Sequence, residues 1–179
     1  MSGQRKIVLW TGPRHSGKTA AADKLIECLR AQGHTVAGLL APSVYEGGIL
    51  FGFDALDVST GQRSALLRLA ERADAADVGR FALSDEGLRI GQAALSGEAT
   101  RQADLVVVDE FGSLELRGGG WRTPVDGLID SAVGVILLVV REGLIAAVRG
   151  LYPGTACVEV RASDPKALDA VMAVLAADP

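Results

Sequence analysis

The chain has 179 residues, of which 49% are apolar and 22% charged, and its formal net charge is −4. These values exclude a disordered chain and fit one domain over residues 1–179, large enough to bury roughly two-thirds of its unfolded surface. Lys and Arg are scattered and aromatics make up only 4%, which argues against backbone-driven nucleic-acid binding, an anionic-membrane surface and a stacking platform for single strands.

Strand, loop and helix open the chain. Lys6 to Trp10 (KIVLW) is a short apolar run of the kind buried on both faces. The basic pair Arg5-Lys6 before it precedes too short an apolar stretch for a signal peptide. Ala22, Leu25, Ile26 and Leu29 recur at i, i+3, i+4, i+7, one stripe of a helix, and Gly33 supplies the stop. Val36 to Ser43, Ile49 to Val58 and Ser64 to Leu67 then read as strands. Gly47-Gly48 and Thr60-Gly61 separate them as turns, so residues 36–68 are expected to form an antiparallel meander inserted into the fold. A helix is expected over Asp85 to Ser96, ended by Gly97.

Alternation of strand and helix resumes with Leu105 to Val108, bounded by Asp104 and Asp109. Gly118-Gly119-Gly120 reads as a loop and Val125 to Ser131 as a helix. Val135 to Val140 (VILLVV) is a buried strand, and Cys157 to Val160 a last short one. The final helix is expected to open at Ser163-Asp164-Pro165 and to bury Leu168, Val171, Met172 and Leu175. Buried strands alternating with helices predict an α/β fold, a mostly parallel sheet with helices on both faces. Cys28 and Cys157 have no metal-ligand spacing and read as small core residues. The longest apolar run, Ala132 to Val140, is about half the length that crosses a bilayer, so a cytoplasmic protein is expected.

Two motifs carry chemistry. Gly12-Pro13-Arg14-His15-Ser16-Gly17-Lys18-Thr19 fits the phosphate-loop pattern G-x-x-x-x-G-K-S/T, placed between strand and helix. Its glycines let backbone N–H groups turn toward phosphate oxygens, and the helix starting near Lys18 adds its positive end, so Gly12 to Ala20 are the candidate phosphate-binding residues. Lys18 is expected on the β- and γ-phosphates and the Thr19 hydroxyl on Mg²⁺. Arg14 is placed to lean over the γ-phosphate or to point into water, and His15 reads as a solvated loop residue. The second motif is Val106-Val107-Val108-Asp109-Glu110, an apolar strand ending in two carboxylates where ligands sit in open α/β sheets. Asp109 is assigned to Mg²⁺, opposite Thr19, and Glu110 to the attacking water. Arg141, ending the VILLVV strand, is the candidate sensor of the γ-phosphate.

GPRHSGKT, GILFGFDALDVSTGQRSALL (Gly48 to Leu67), DVGRFAL (Asp77 to Leu83) and VVVDEFGSLEL (Val106 to Leu116) together resemble the family of small P-loop nucleoside-triphosphatases that includes the cancer-related nucleoside-triphosphatase. The resemblance spans nearly the whole chain. It implies a RecA-like sheet carrying a β-meander, and slow hydrolysis of several nucleoside triphosphates to diphosphate and phosphate. Gly12, Gly17, Lys18 and Thr19 match that family's phosphate loop, and Asp109, Glu110, Gly112 and Glu115 its acidic signature. Arg14 and His15 depart from the small residues usual there. Glu115 reads as a member of the water or metal shell or as a helix-start carboxylate, and Trp121 as a core or interface anchor ahead of a base-stacking residue. Besides hydrolysis, two readings stay open: a small-molecule kinase, for which residues 39–103 offer no recognisable acceptor pocket, and a nucleotide-dependent binding module with the meander as its partner surface.

Overall fold

The computed structural model describes residues 6–131 and 134–177; Arg5, Ala132 and Val133, which figure in the sequence reading, lie outside them. Strand β1 (Lys6–Gly12) is buried from Ile7 onward, because its side chains alternate between two faces that are both covered. Ile7 and Leu9 enter one hydrophobic core, and Val8 and Trp10 the other. Helix α1 (Lys18–Ala31) follows, and its stripe of Ala22, Leu25, Ile26 and Leu29 is buried against the second core.

The chain continues through β2 (Val36–Leu40), β3 (Ser43–Glu46), β4 (Ile49–Asp57), β5 (Arg63–Leu69) and β6 (Phe81–Leu83) to α2 (Asp85–Ser96) and α3 (Glu98–Gln102). Then come β7 (Leu105–Val108), α4 (Ser113–Leu116), α5 (Arg122–Asp130), β8 (Val135–Arg141), α6 (Ile145–Leu151), β9 (Cys157–Arg161) and α7 (Ala167–Ala176). The strands form one sheet in the order β6-β5-β4-β2-β7-β8-β1-β9, with β3 paired to β4. From β2 to β9 every pairing is parallel. From β2 outward through β4, β5 and β6 every pairing is antiparallel. Helices α1 and α7 cover one face, and α2, α5 and α6 the other.

The expected α/β sheet with an antiparallel meander stands, as a mixed sheet in which parallel and antiparallel pairings are equally frequent, and with the meander's boundaries moved. Residues 36–40 belong to the parallel core, since β2 pairs with β7 from Val36↔Leu105 to Leu39↔Val108. The single strand expected over Val36 to Ser43 is two strands, because Pro42 brings no N–H to a ladder and β3 begins only after it. At the other end the meander runs on to β6, a strand too short to show a pattern of its own. Helix α2 matches its expected span, and the Ser84 hydroxyl caps it by accepting the Gly87 N–H. The last helix starts at Ala167, two residues beyond Pro165, with the Asp164 carboxylate accepting the Lys166 N–H just before it. Cys28 is not a core residue. It lies on the exposed face of α1, off the buried stripe, and only Cys157 is partly covered.

Candidate active site

The loop after β1 turns sharply. His15 has φ 57° and Gly17 φ 77°, both in the left-handed region, which glycine enters at no steric cost. That turn leads directly into α1, whose first residues are Lys18 and Thr19. Lys18 is largely buried, and its ammonium curls back to donate to the Pro13 carbonyl at 2.6 Å. The Ser16 N–H also points to that carbonyl, at 3.4 Å. The indole N–H of Trp10 donates to the Lys18 carbonyl at 3.1 Å in a buried position, tying the first turn of α1 to the strand beneath it. Arg14 and His15 are exposed, and Ala20 lies in the first turn of the helix.

At the end of β7, Asp109 is fully buried. Its carboxylate accepts the Ala41 N–H at 3.0 Å and the Glu110 N–H at 2.9 Å, and it interacts with the Thr19 hydroxyl. Burial first, then the neighbouring Glu110 charge, pushes its pKa up to about 6, against the opposing pull of those hydrogen bonds. A carboxylate so short of positive charge, with a hydroxyl beside it, fits a hard cation with oxygen ligands. Among the described residues no three His, Cys, Asp or Glu side chains gather to hold a metal alone; Mg²⁺ commonly takes one or two protein ligands and completes its shell with water and phosphate oxygens.

Glu110 faces outward beside Asp109. Its φ of 58° is unusual for a residue with a Cβ and is found where surrounding structure imposes it. Across from it stands Arg141. Gly12 and Arg141 are register partners on β1 and β8, so the guanidinium leaves the sheet beside the start of the phosphate loop. Its Nη2 is 4.0 Å from Glu110 Oε2, and both side chains are about half exposed. The sheet thus brings the phosphate loop, Thr19, Asp109, Glu110 and Arg141 to one carboxyl edge.

Glu115 is elsewhere. Only 3% exposed, it accepts the Gly112 N–H at 2.8 Å and the Trp121 N–H at 3.2 Å, so its two oxygens serve the loop backbone and not the water or metal shell. Burial pushes its pKa up and these hydrogen bonds oppose the shift. Trp121 is a core residue at 4% exposure, packed so closely on α2 that a Cβ at Gly91 would lie 2.4 Å from its ring. It is not open to a base. Sequence reasoning missed Trp10, Ala41 and Phe111 as parts of the site. Trp10 alone carried a signal, an N–H-bearing aromatic at the end of an otherwise aliphatic run.

A glycine-rich loop between a buried strand and a helix, with a carboxylate-ended strand one place removed across β8, defines an α/β P-loop NTPase with a RecA-like sheet. A solution structure of a human cancer-related nucleoside triphosphatase has this fold: it superimposes with a TM-score of 0.69 over 97% of this chain and 96% of that one, at 22% identity. A family profile described as NTPase matches residues 7–167. The nucleoside-triphosphatase THEP1 of Methanothermobacter thermautotrophicus is 31% identical over 142 residues, 76% of this chain and 78% of that protein. The THEP1 of Methanopyrus kandleri is 35% identical over 133 residues, 74% and 72% of the two chains. The chain belongs to this nucleoside-triphosphatase family.

Proposed function

We propose that the protein hydrolyses nucleoside triphosphates to diphosphate and phosphate in a Mg²⁺-dependent reaction, with Gly12 to Ala20 as the phosphate site. The observation that carries this reading is the meeting of the Thr19 hydroxyl with the buried Asp109 carboxylate, next to a Glu110 that opens toward Arg141. Thr19 and Asp109 would hold the Mg²⁺, Asp109 through its water shell; bound there, the ion neutralises charge on the β- and γ-phosphate oxygens. Lys18 exchanges the Pro13 carbonyl for a phosphate oxygen. Glu110 takes the proton of the attacking water as the water oxygen bonds to the γ-phosphorus and the bond to the departing diphosphate breaks. Arg141 stabilises the charge carried by the γ-phosphoryl group. Residues 1–179 are read as one such domain. Among the described residues no helix is long and apolar enough to cross a membrane, and the cytoplasm, with its nucleotide pool, is the proposed compartment.

Glu110→Gln and Asp109→Asn separate the two carboxylate roles. Glu110→Gln keeps its size but cannot accept the proton, so under single-turnover conditions it should bind Mg²⁺ and triphosphate normally and hydrolyse roughly 10²- to 10⁴-fold more slowly. Asp109→Asn should raise the Mg²⁺ concentration needed and weaken triphosphate binding. Wild-type turnover in Glu110→Gln would remove it as the base. If both variants fail only in binding, a nucleotide-dependent binding module becomes the better reading.

A further inference from the structure

Four consecutive N–H groups around Glu110 are each held by a different partner. The Asp109 N–H donates to the Leu39 carbonyl on β2 at 3.0 Å, and the Glu110 N–H to the Asp109 carboxylate at 2.9 Å. The Phe111 N–H donates to the Val139 carbonyl on β8 at 3.1 Å, and the Gly112 N–H to Glu115 Oε2 at 2.8 Å. Between these clamps sits the only acidic residue among those described that has a positive φ. Side chains in that region are held there by their surroundings and not by preference.

Glu115 is itself fixed. Its second oxygen accepts the N–H of the core residue Trp121, and the same oxygen faces Gly120 so closely that a Cβ there would lie 2.1 Å from it. Both carboxylate oxygens are therefore engaged as acceptors, in a place with almost no access to water. A buried carboxylate is a costly way to satisfy two backbone N–H groups unless their position matters.

We infer that Glu115 is a positioning residue for Glu110: it ties the loop after β7 to the Trp121 core, and so fixes the direction in which the Glu110 carboxylate is presented. The inference rests on the reading of Glu110 as the proton acceptor. Glu115 touches neither nucleotide nor water in this scheme; it acts through the Gly112 N–H.

Glu115→Gln tests it, because an amide has one acceptor and one donor end and leaves one of the two N–H groups facing an NH₂. With ATP and Mg²⁺, the single-turnover rate per folded molecule should fall roughly tenfold to a hundredfold, the usual consequence of an ångström-scale misplacement. Affinity for ADP and ATP should change less than about twofold, since the phosphate loop is not involved. In a Glu110→Gln background the same change should have little further effect, because the two residues act as one unit. Gly120→Ala pushes on the same carboxylate from the other side and should give the same rate-specific loss, which covers the case in which Glu115→Gln does not fold. A wild-type rate in folded Glu115→Gln or Gly120→Ala, or an equal loss in the presence and absence of Glu110, would overturn the inference. Slow Glu110→Gln with fast Glu115→Gln would sink only this inference, whereas fast Glu110→Gln would sink the base assignment as well.

Discussion

Lys18 holds its ammonium on the carbonyl of Pro13 at 2.6 Å, a charge-assisted bond that an incoming phosphate must replace with something better. Contacts of an ammonium with phosphate oxygens are each worth about 1.5–3 kcal/mol. Lys18→Ala is therefore expected to weaken triphosphate binding roughly tenfold to a hundredfold by calorimetry, with an unchanged circular-dichroism spectrum. Glu110 poses the opposite case, a residue whose backbone suits another amino acid. The left-handed conformation costs a Cβ-bearing residue about 1–2 kcal/mol, offset in part by the greater chain entropy that glycine loses on folding. Glu110→Gly also removes a negative charge beside buried Asp109. It is expected to raise stability by about 0.5–1 kcal/mol in urea unfolding while hydrolysis is lost, and a destabilised Glu110→Gly would mean that this conformation is not strained.

At the scale of the element, the meander is held by a polar cluster. Asp54 on β4 accepts from Arg63 at 2.6 Å and from Arg68, both on β5. Burial alone would raise its pKa, but the hydrogen bonds and charges of Arg68 and Arg63 outweigh it and hold the carboxyl below its usual 3.8. The folded state then binds the Asp54 proton less readily than the unfolded chain. The stabilisation is present above pH ~4 and is lost as pH falls through the lowered native value. Both arginines are partly exposed, so the loss in Asp54→Asn should be about 1–2 kcal/mol at neutral pH, below that of a fully buried pair. The gap between variant and wild type should close in unfolding titrations taken toward pH ~2. Legibility also divides by element. Helix α2 and strand β7 were readable to the residue because each is bounded by its own signals, Ser84 and Gly97 for one, Asp104 and Asp109 for the other. Three-residue β6 and four-residue α4 were not, since such pieces exist only through ladder bonds and loop contacts made elsewhere. The same holds within the site. The loop from Gly12 to Thr19 and the pair Asp109-Glu110 are local patterns and were legible as candidates. The service of the Ala41 N–H and the left-handed Glu110 depend on partners distant in sequence, and no local pattern encodes them. Glu115 bonds to its near neighbours Gly112 and Trp121, and what its local helix-start position did not tell is that it is buried.

Across the whole molecule, the position of β8 governs the site. It lies between β1, which leads into the phosphate loop, and β7, which ends in Asp109, so the two motifs are held one strand apart by a ladder buried on both faces. The pairing that does this joins distant parts of the chain: Lys6 to Gly12 lie against Val135 to Arg141, and β1 takes its other neighbour from still later residues, Cys157 to Arg161. Such non-local parallel pairing is slow to form, because the closure of a long loop precedes any contact that rewards it. It also orders events during synthesis. A growing chain that has already displayed Lys18, Thr19, Asp109 and Glu110 still lacks the strand that sets them side by side, and β1 waits unpaired until residue 141 has emerged. Ribosome-arrested chains ending near residue 131 should therefore fail to retain nucleotide, and chains arrested after β9 has cleared the exit tunnel should bind it, as read by labelled-nucleotide capture. Competence to bind nucleotide is thus acquired late in translation, although the phosphate loop, Thr19, Asp109 and Glu110 are all made before β8, and of the residues proposed to act at the phosphates only Arg141 arrives with it.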